Sequence, residues 1–412
     1  MAGRIKPYHL FEACGIELEH MIVDRTTLKV LPMADVLFAE FGDAASGDMP
    51  RENMAWRNEL VNHVVELRNA RPAKKLTKWR KRYLAEVQAI NAALEKHNAM
   101  LLPTGAHPLM DPAKETVLWS HARTESYSLC DRIFNCSRHG WSNIQSTHLN
   151  LHYANDNEFS KLHAAVRLLL PIIPALAASS PILEGKVTGF LDARMEAYLH
   201  AQEKLPQLMG SLIPEPVYAQ EDYYREILSP IAQALAPHDP TRLLDAQSMN
   251  TRGAVPRFER DVMEIRVIDS QECVGADLAI AEFLMAVLKA LTSGRWVSTY
   301  LQRAWSEDDL LAIFLSTIKN ADTTVVANKD YLLMFGLMKQ EQMPAMKLWQ
   351  HLFVELYGDL SEGARQHIAH ILEHGSLASR IVKRTGKRPS QDKIRAVYTE
   401  LAACLQEDRA FV

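Results

Sequence analysis

The chain has 412 residues, which exceeds the size at which one hydrophobic core usually stops growing, so one large elaborated domain or two domains are expected. It is 48% hydrophobic and 23% charged, as in an ordinary globular protein, and its net charge of -4 gives no electrostatic reason to propose nucleic acid as a partner. The five cysteines are too few and too scattered for a disulfide framework, and they form no C-x-x-C pair of the kind that builds a zinc ribbon.

The sequence shows no sign of a membrane or export segment. The N-terminus lacks the apolar region of a secretory signal. The most apolar stretch, residues 164–178, is interrupted by Arg167 and two prolines and falls short of the roughly 20 apolar residues that span a bilayer. We therefore expect a soluble, cytoplasmic protein without a membrane partner; the oligomeric state is left open.

Four segments are predicted to be β-strands, because polar and apolar residues alternate along them: residues 13–21, 63–68, 147–153 and 261–268. If extended, each presents a polar row on one face and an apolar row on the other. A sheet has this pattern when one face packs on helices and the other lines a site. The polar rows consist of Gly15, Glu17 and Glu19; of Glu66; of His148, Asn150 and His152; and of Glu264 and Arg266.

Helices are predicted over residues 73–98, 160–178 and 276–292, where apolar residues recur at helical spacing. After about residue 300 strand-like alternation nearly vanishes. Ser306 followed by Asp309 reads as a capping box, and Pro389–Ser390 precedes a last helix. The sequence thus predicts a mixed α/β core over residues 1–300 and a helical C-terminal region over residues 301–412.

The paired carboxylates Glu17 and Glu19 are the first candidates for chemistry. Two apart on a strand, they point the same way and would repel each other unless a divalent cation lies between or beside them. A solvated strand face explains an isolated E-x-E equally well or better. The apolar residues on both sides of the pair favour a central strand, where solvation is less available.

The other polar rows carry similar alternatives. Glu66 follows two valines in an apolar strand, with Glu59 upstream. His148 fits either a metal or phosphate ligand or a satisfied core histidine. Glu264 and Arg266 fit either function or a cross-strand ion pair. Together the rows fit two or more Mg²⁺ ions bridging ATP phosphates; neither a P-loop nor a Rossmann fingerprint is present.

At this point the residues resemble those of the glutamate–cysteine ligases and their broader carboxylate–amine ligase relatives. GIELEH resembles the strand that opens this family, and five further segments follow in the family's order. These are ELVNHVVELRNARP, TGAHP, STHLNLHY, AASSPILEGKVTGFLDAR and VMEIRVIDSQEC. The fourth of them looks especially like the plant-type branch. The resemblance covers about residues 13–290 and implies an α+β, glutamine-synthetase-like fold, in which a curved antiparallel sheet forms a funnel backed by helices.

The resemblance also implies roles for individual residues. Arg266 would lie near the ATP phosphates with Asn150 close by, and Arg194 would contact a substrate carboxylate or a phosphate. The cofactors would be ATP and Mg²⁺, or Mn²⁺ in its place. The implied metal ligands are Glu17, Glu19, Glu59, Glu66, His148 and Glu264.

The activity implied is amide-bond formation through an acyl phosphate, with glutamate as donor and cysteine as leading acceptor. Two features leave alternatives open: His152 stands where plant-type sequences have aspartate, and nothing marks residues that would read a cysteine side chain. The alternatives are a ligase with another amine acceptor, a metal-dependent hydrolase that uses His148 and His152, and a nucleotide-binding protein without catalysis.

Overall fold

A computed structural model describes residues 7–42 and 46–412 of the chain. Strands account for the part that carries the predicted polar rows, and helices for most of the remainder. The strands are β1 Cys14–Asp24, β2 Asp48–Pro50, β3 Met54–Asn58, β4 Val64–Asn69, β5 Ala99–Leu102, β6 Ser146–His152, β7 Ile182–Leu183, β8 Lys186–Val187, β9 Ala254–Arg257, β10 Val262–Asp269, β11 Val325–Val326 and β12 Met343–Pro344.

Helices surround the sheet and make up nearly all of the C-terminal region. They are α1 Ala34–Glu40, α2 Arg80–Glu95, α3 Pro112–Glu115, α4 Thr124–Phe134, α5 His139–Ser142, α6 Asp156–Leu169, α7 Ile173–Ala177, α8 Ala193–Leu199, α9 Gln220–Tyr223, α10 Ser229–Leu235, α11 Val274–Thr292, α12 Thr299–Arg303, α13 Glu307–Asn320, α14 Lys329–Leu333, α15 Ala345–Glu355, α16 Glu362–His374, α17 Leu377–Thr385 and α18 Gln391–Glu407.

One sheet of eight strands, in the order β2-β3-β4-β1-β6-β10-β9 with β5 also paired to β1, organises the molecule. Every pairing in it is antiparallel. The four strands predicted from alternation are β1, β4, β6 and β10, and they are adjacent to one another in the sheet. Their observed limits differ from the predicted ones by one to three residues. The antiparallel sheet backed by helices confirms the predicted fold class.

The apolar rows of these strands form one face of the sheet and lie in the main hydrophobic core. Ile16, Leu18, Leu149 and Ile265 are each at most 1% exposed. Helices α2, α6 and α11 contribute to the same core. Helix α11 is nearly all apolar and has 14 buried residues, so it lies in the interior rather than on the surface. Because this face is filled by helices, the polar rows are left facing the opposite side.

The helical run Asp156–Ala177 is long and apolar enough by composition to cross a membrane, with 22 residues and a mean hydropathy of 1.4. This run is longer than the apolar stretch noted in the sequence because it includes α6, a 3-10 turn and α7. Within the protein, 94% of it is buried. Such burial is what the core helix of a folded domain shows.

The C-terminal helices close one end of the polar face. The row on β1 that carries Glu17 and Glu19 becomes apolar at Met21 and Val23, and these side chains lie in a second core with residues of α17 and α18. Ser306 and Ser390 cap α13 and α18 as the sequence predicts, each accepting a hydrogen bond from the backbone N–H three residues on. The division of the chain at residue 300 stays a prediction.

Candidate active site

Strand register brings the predicted acids together on the polar face. Glu17 lies opposite His148 on one side and opposite Arg68 on the other, while Glu19 lies opposite Glu66. Because the side-chain period of a strand is two, both glutamates of β1 project from the same face as their partners. The E-x-E pair is therefore part of a continuous polar surface across β4, β1, β6 and β10.

Glu17 is held by β6. Its Oε2 lies 2.9 Å from His148 Nδ1, and its Oε1 accepts a hydrogen bond of 3.2 Å from the Asn150 amide. Burial disfavours the charged form of Glu17, but the hydrogen bond from His148 together with the positive charges of His148 and Arg260 outweighs it, so the pKa of Glu17 is lowered. Burial also opposes the charge on His148, but Glu19 and Glu17 raise the pKa of His148. Glu17 and His148 thus form an ion pair in the middle of the sheet.

Ser146, which was not among the predicted site residues, connects this pair to Glu19. Its backbone N–H and its hydroxyl donate to Glu19 Oε2 at 2.7 and 2.9 Å, and its Oγ lies 2.8 Å from His148 Nε2. The signal was available, since Ser146 falls in the same alternating row as His148. Both hydrogen bonds from Ser146 go to Oε2, so the serine does not engage Glu19 Oε1.

Glu19, Glu59 and Glu66 form a cluster in which one oxygen from each lies within 4.8 Å of the others; no other such group of three potential ligands occurs in residues 7–42 and 46–412. Glu59 lies just after β3 rather than on a strand. Burial, with Glu19 adding, raises the pKa of Glu59 to about 7. Burial, with Glu17 and Glu59 adding, raises the pKa of Glu66 well above its ordinary value.

The chemistry of this cluster fits a divalent cation. Glu66 Oε1 is buried and has no hydrogen-bond partner among the described residues. Three hard carboxylate oxygens at this spacing suit Mg²⁺ or Mn²⁺, and a bound cation would remove their mutual repulsion. We name Glu19, Glu59 and Glu66 the carboxylate cluster.

Glu264 is separated from the carboxylate cluster by its contacts with arginines. Arg257 binds it in a bidentate manner at 3.0 and 3.1 Å, and Arg266 Nε donates to it at 2.6 Å. Burial opposes the charge on Glu264, but Arg266 and Arg257 hold its pKa well below the ordinary value. Both carboxylate oxygens therefore accept hydrogen bonds in this structure. The metal-ligand role predicted for Glu264 stays a prediction.

Arg194 reaches the site from α8 and is anchored from behind. Its Nε donates to the fully buried Asp269, and its Nη1 donates to the Arg266 carbonyl at 3.3 Å. Asp269 in turn accepts hydrogen bonds from Ser179 N–H and the Ser180 hydroxyl, each at 2.8 Å. Arg194 Nη2 is buried without a partner in the described part of the chain. The guanidinium is thus fixed with one donor free.

A cavity of about 720 Å³ connects these groups, since its lining includes the carboxylate cluster, Glu17, His148, Arg194 and Arg266. Arg57, which was not among the predicted site residues, lies on β3 opposite Glu66 and also lines this cavity. Burial opposes its charge, but Glu66 and Glu59 raise the pKa of Arg57. Anionic and cationic groups therefore face each other across one space, as a site for a metal-bound polyphosphate requires.

The two histidines of the hydrolase alternative lie apart. His152 lines a neighbouring cavity of about 610 Å³, and its ring centroid lies 5.2 Å from that of Tyr8. His152 lies four positions further along β6 than His148, which corresponds to roughly 13 Å. Two zinc ligands on one ion need nitrogens a few ångströms apart, so this arrangement does not favour a site formed by both histidines.

A family model described as glutamate–cysteine ligase family 2 matches residues 13–400 of the chain. The chain belongs to glutamate–cysteine ligase family 2. An uncharacterized protein of Archaeoglobus fulgidus is 33% identical over 276 residues, which are 67% of this chain and 74% of that protein. A Rubrobacter xylanophilus protein named "Putative glutamate--cysteine ligase 2-3" is 26% identical over 201 residues, 48% of this chain and 50% of its own length.

A solved structure supports the fold of this family 2 member. The 2.0 Å crystal structure of a Francisella tularensis glutamate–cysteine ligase in complex with AMP matches with a TM-score of 0.57 and 12% identity. The match covers 97% of this chain and 89% of that one. At this identity the likeness concerns the fold, and it confirms the glutamine-synthetase-like architecture expected from the sequence.

Proposed function

We propose that the protein is an ATP- and Mg²⁺-dependent ligase that joins a carboxylate to an amine, with glutamate as donor and cysteine as the leading acceptor. Membership of glutamate–cysteine ligase family 2 supports the ligase chemistry. The identity of both substrates is part of the proposal. So is the assignment of catalysis to residues 1–300.

The observation that carries the proposal is the carboxylate cluster beside arginines in one cavity. Three carboxylate oxygens within 4.8 Å are costly to hold together without a cation. Arg266, Arg257 and Arg57 lie on strands that line the same cavity and supply positive charge. This arrangement suits a reaction in which a phosphoryl group carries dispersed negative charge.

The proposed reaction has two steps. An oxygen of the donor carboxylate attacks the γ-phosphorus of ATP, and ADP leaves. The amine nitrogen then attacks the activated carbonyl carbon, phosphate leaves, and the amine releases a proton. A divalent cation held by Glu19, Glu59 and Glu66 would supply neutralisation of the phosphate charge in the first step.

The remaining side chains position and stabilise the reacting groups. Arg266, fixed by Glu264, faces the transferring phosphoryl group and offsets its charge. Arg194, fixed by Asp269, offers its free Nη2 to a substrate carboxylate. Glu17 and His148 hold each other and, through Ser146, keep Glu19 oriented toward Glu59 and Glu66.

The test is to incubate the protein with Mg·ATP, glutamate and a panel of amines that includes cysteine, and to follow ADP release together with product mass. We expect ADP and an amide product to appear in equal amounts, and only when donor and amine are both present. Product without ATP would indicate a hydrolase acting in reverse. Nucleotide binding without ADP release for any amine would indicate a binding protein, and either result overturns the proposal.

A further inference from the structure

Glu59 differs from the other two members of the carboxylate cluster because it does not lie on a strand. Glu19 is part of β1 and Glu66 is part of β4, whereas Glu59 follows the last residue of β3 and begins the loop to β4. A strand sets the direction of its side chains through the pleat, and a loop does not. Other contacts must therefore keep the Glu59 carboxylate within 4.8 Å of the other two.

The side chain of Asn58, the last residue of β3, binds the peptide group of Glu59. Asn58 Nδ2 donates a hydrogen bond of 2.9 Å to the Glu59 carbonyl and one of 3.2 Å to the Tyr127 hydroxyl. Arg123 Nη1 donates to Asn58 Oδ1 at 3.4 Å. Tyr127 lies on α4 and Arg123 directly precedes that helix. Asn58 is only 1% exposed, so it ties the Glu59 loop to α4 where water does not readily replace the contacts.

The backbone on two sides is shaped around the Asn58 side chain. The Asn58 N–H donates to the Gly47 carbonyl at 2.9 Å, and a Cβ added to Gly47 would collide with Asn58 Oδ1. On the other side Arg123 has a φ of 69°, a left-handed conformation that is uncommon outside glycine. Strained backbone of this kind tends to occur at functional sites. A glycine and a strained arginine thus both accommodate one buried amide beside the carboxylate cluster.

We propose that Asn58 is a positioning residue for the divalent cation: by fixing the Glu59 peptide group against α4, it keeps the Glu59 carboxylate directed at Glu19 and Glu66. Asn58 binds the main-chain carbonyl of Glu59, so it leaves both carboxylate oxygens to the cation and does not itself touch the metal. Removing a group that orients a metal ligand typically weakens metal binding about 10- to 100-fold. This inference rests on the metal role that the proposed function gives to the carboxylate cluster, and it does not depend on the identity of the substrates.

The experiment measures Mn²⁺ binding by electron paramagnetic resonance, without nucleotide or substrates, in wild type and in Asn58→Leu. Leucine resembles asparagine in shape but cannot donate a hydrogen bond, so the Glu59 loop loses its tie to α4. The Kd for Mn²⁺ should rise at least about tenfold. Asn91→Leu is the matched control, because Asn91 is also buried and hydrogen-bonds two elements together, but it lies on α2 behind the apolar face of the sheet. This control should lower the melting temperature and leave the Kd for Mn²⁺ unchanged.

The outcomes separate this inference from the proposed function. An Asn58→Leu protein that melts earlier, as Asn91→Leu does, yet binds Mn²⁺ like wild type shows that Asn58 only supports the fold, and this overturns the inference. Wild type that binds no Mn²⁺ removes the metal role of the carboxylate cluster and the inference with it. Mn²⁺ binding that depends on Asn58, without ADP release for any amine, supports the inference and overturns the ligase proposal alone. If Asn58→Leu does not fold, Tyr127→Phe, which removes only the hydroxyl that Asn58 binds, must raise the Kd for Mn²⁺ about threefold for the inference to stand.

Discussion

Replacing Glu66 by glutamine tests the carboxylate cluster most sharply. The oxygens of Glu66, Glu19 and Glu59 lie within 4.8 Å of one another. Two unit charges at that distance repel by about 3.5 kcal/mol at an effective dielectric constant of roughly 20. The net repulsion is smaller than that between full charges, because a buried carboxyl can take up a proton instead, and burial already raises the pKa of Glu66 well above its ordinary value. Attraction between Glu66 and the nearby Arg57 and Arg68 offsets a further part of this repulsion.

A net gain of about 1 kcal/mol is therefore expected for metal-free Glu66→Gln over wild type at pH 8, where the competing proton is scarce. With Mg²⁺ in hundredfold excess over its Kd, wild type should gain about 2.7 kcal/mol and the variant much less. Urea unfolding with and without Mg²⁺ measures both quantities, and the exposed Glu341→Gln is the control. A variant that is less stable than wild type without metal, yet is stabilised equally by Mg²⁺, would refute the reasoning.

Three further predictions concern single residues. Glu17→Gln should lower ADP release more than about 100-fold in a protein that still folds, because His148 and Asn150 lose the carboxylate that orients them; near-normal turnover would contradict this. Arg194→Lys should raise KM for the donor carboxylate about tenfold, because a lysine cannot bind Asp269 and a substrate as a planar fork, and an unchanged KM would exclude this contact. Burial raises the pKa of Asp277 to about 7, so the native state holds a proton that the unfolded chain releases above about pH 4. Stability should consequently fall as pH rises from 4 to 7, and Asp277→Asn should flatten that slope in urea titrations; an identical slope would show that other groups cause it.

The strands that could be predicted from the sequence are those with strong alternation, in which one face packs on the core and the other lines the site. β1, β4, β6 and β10 each alternate over several residues, so their polar rows and the closeness of Glu17 to His148 followed from period and family resemblance. β5, with the sequence AMLL, was missed because a short apolar run does not distinguish a strand from a buried helix. β2, β3 and β9 were missed because three to five residues give too little periodicity.

Contacts within the site depended on register, which a single sequence does not reveal. The arginine contacts of Glu264 are an example: the β9–β10 pairing brings Arg257 within 3.1 Å of it, and Arg257 and Arg266 both donate hydrogen bonds to its carboxylate. Glu59 joins Glu19 and Glu66 from a loop rather than from a strand.

The central claim is that ATP activates a carboxylate for attack by an amine. It is tested most directly with glutamate labelled with ¹⁸O in its carboxylates, Mg·ATP and an accepted amine, by measuring the isotope content of the released phosphate. The account predicts that the phosphate carries an oxygen from the donor carboxylate, because the bond broken in the second step lies between that oxygen and the carbonyl carbon. Unlabelled phosphate released alongside amide product would contradict the account.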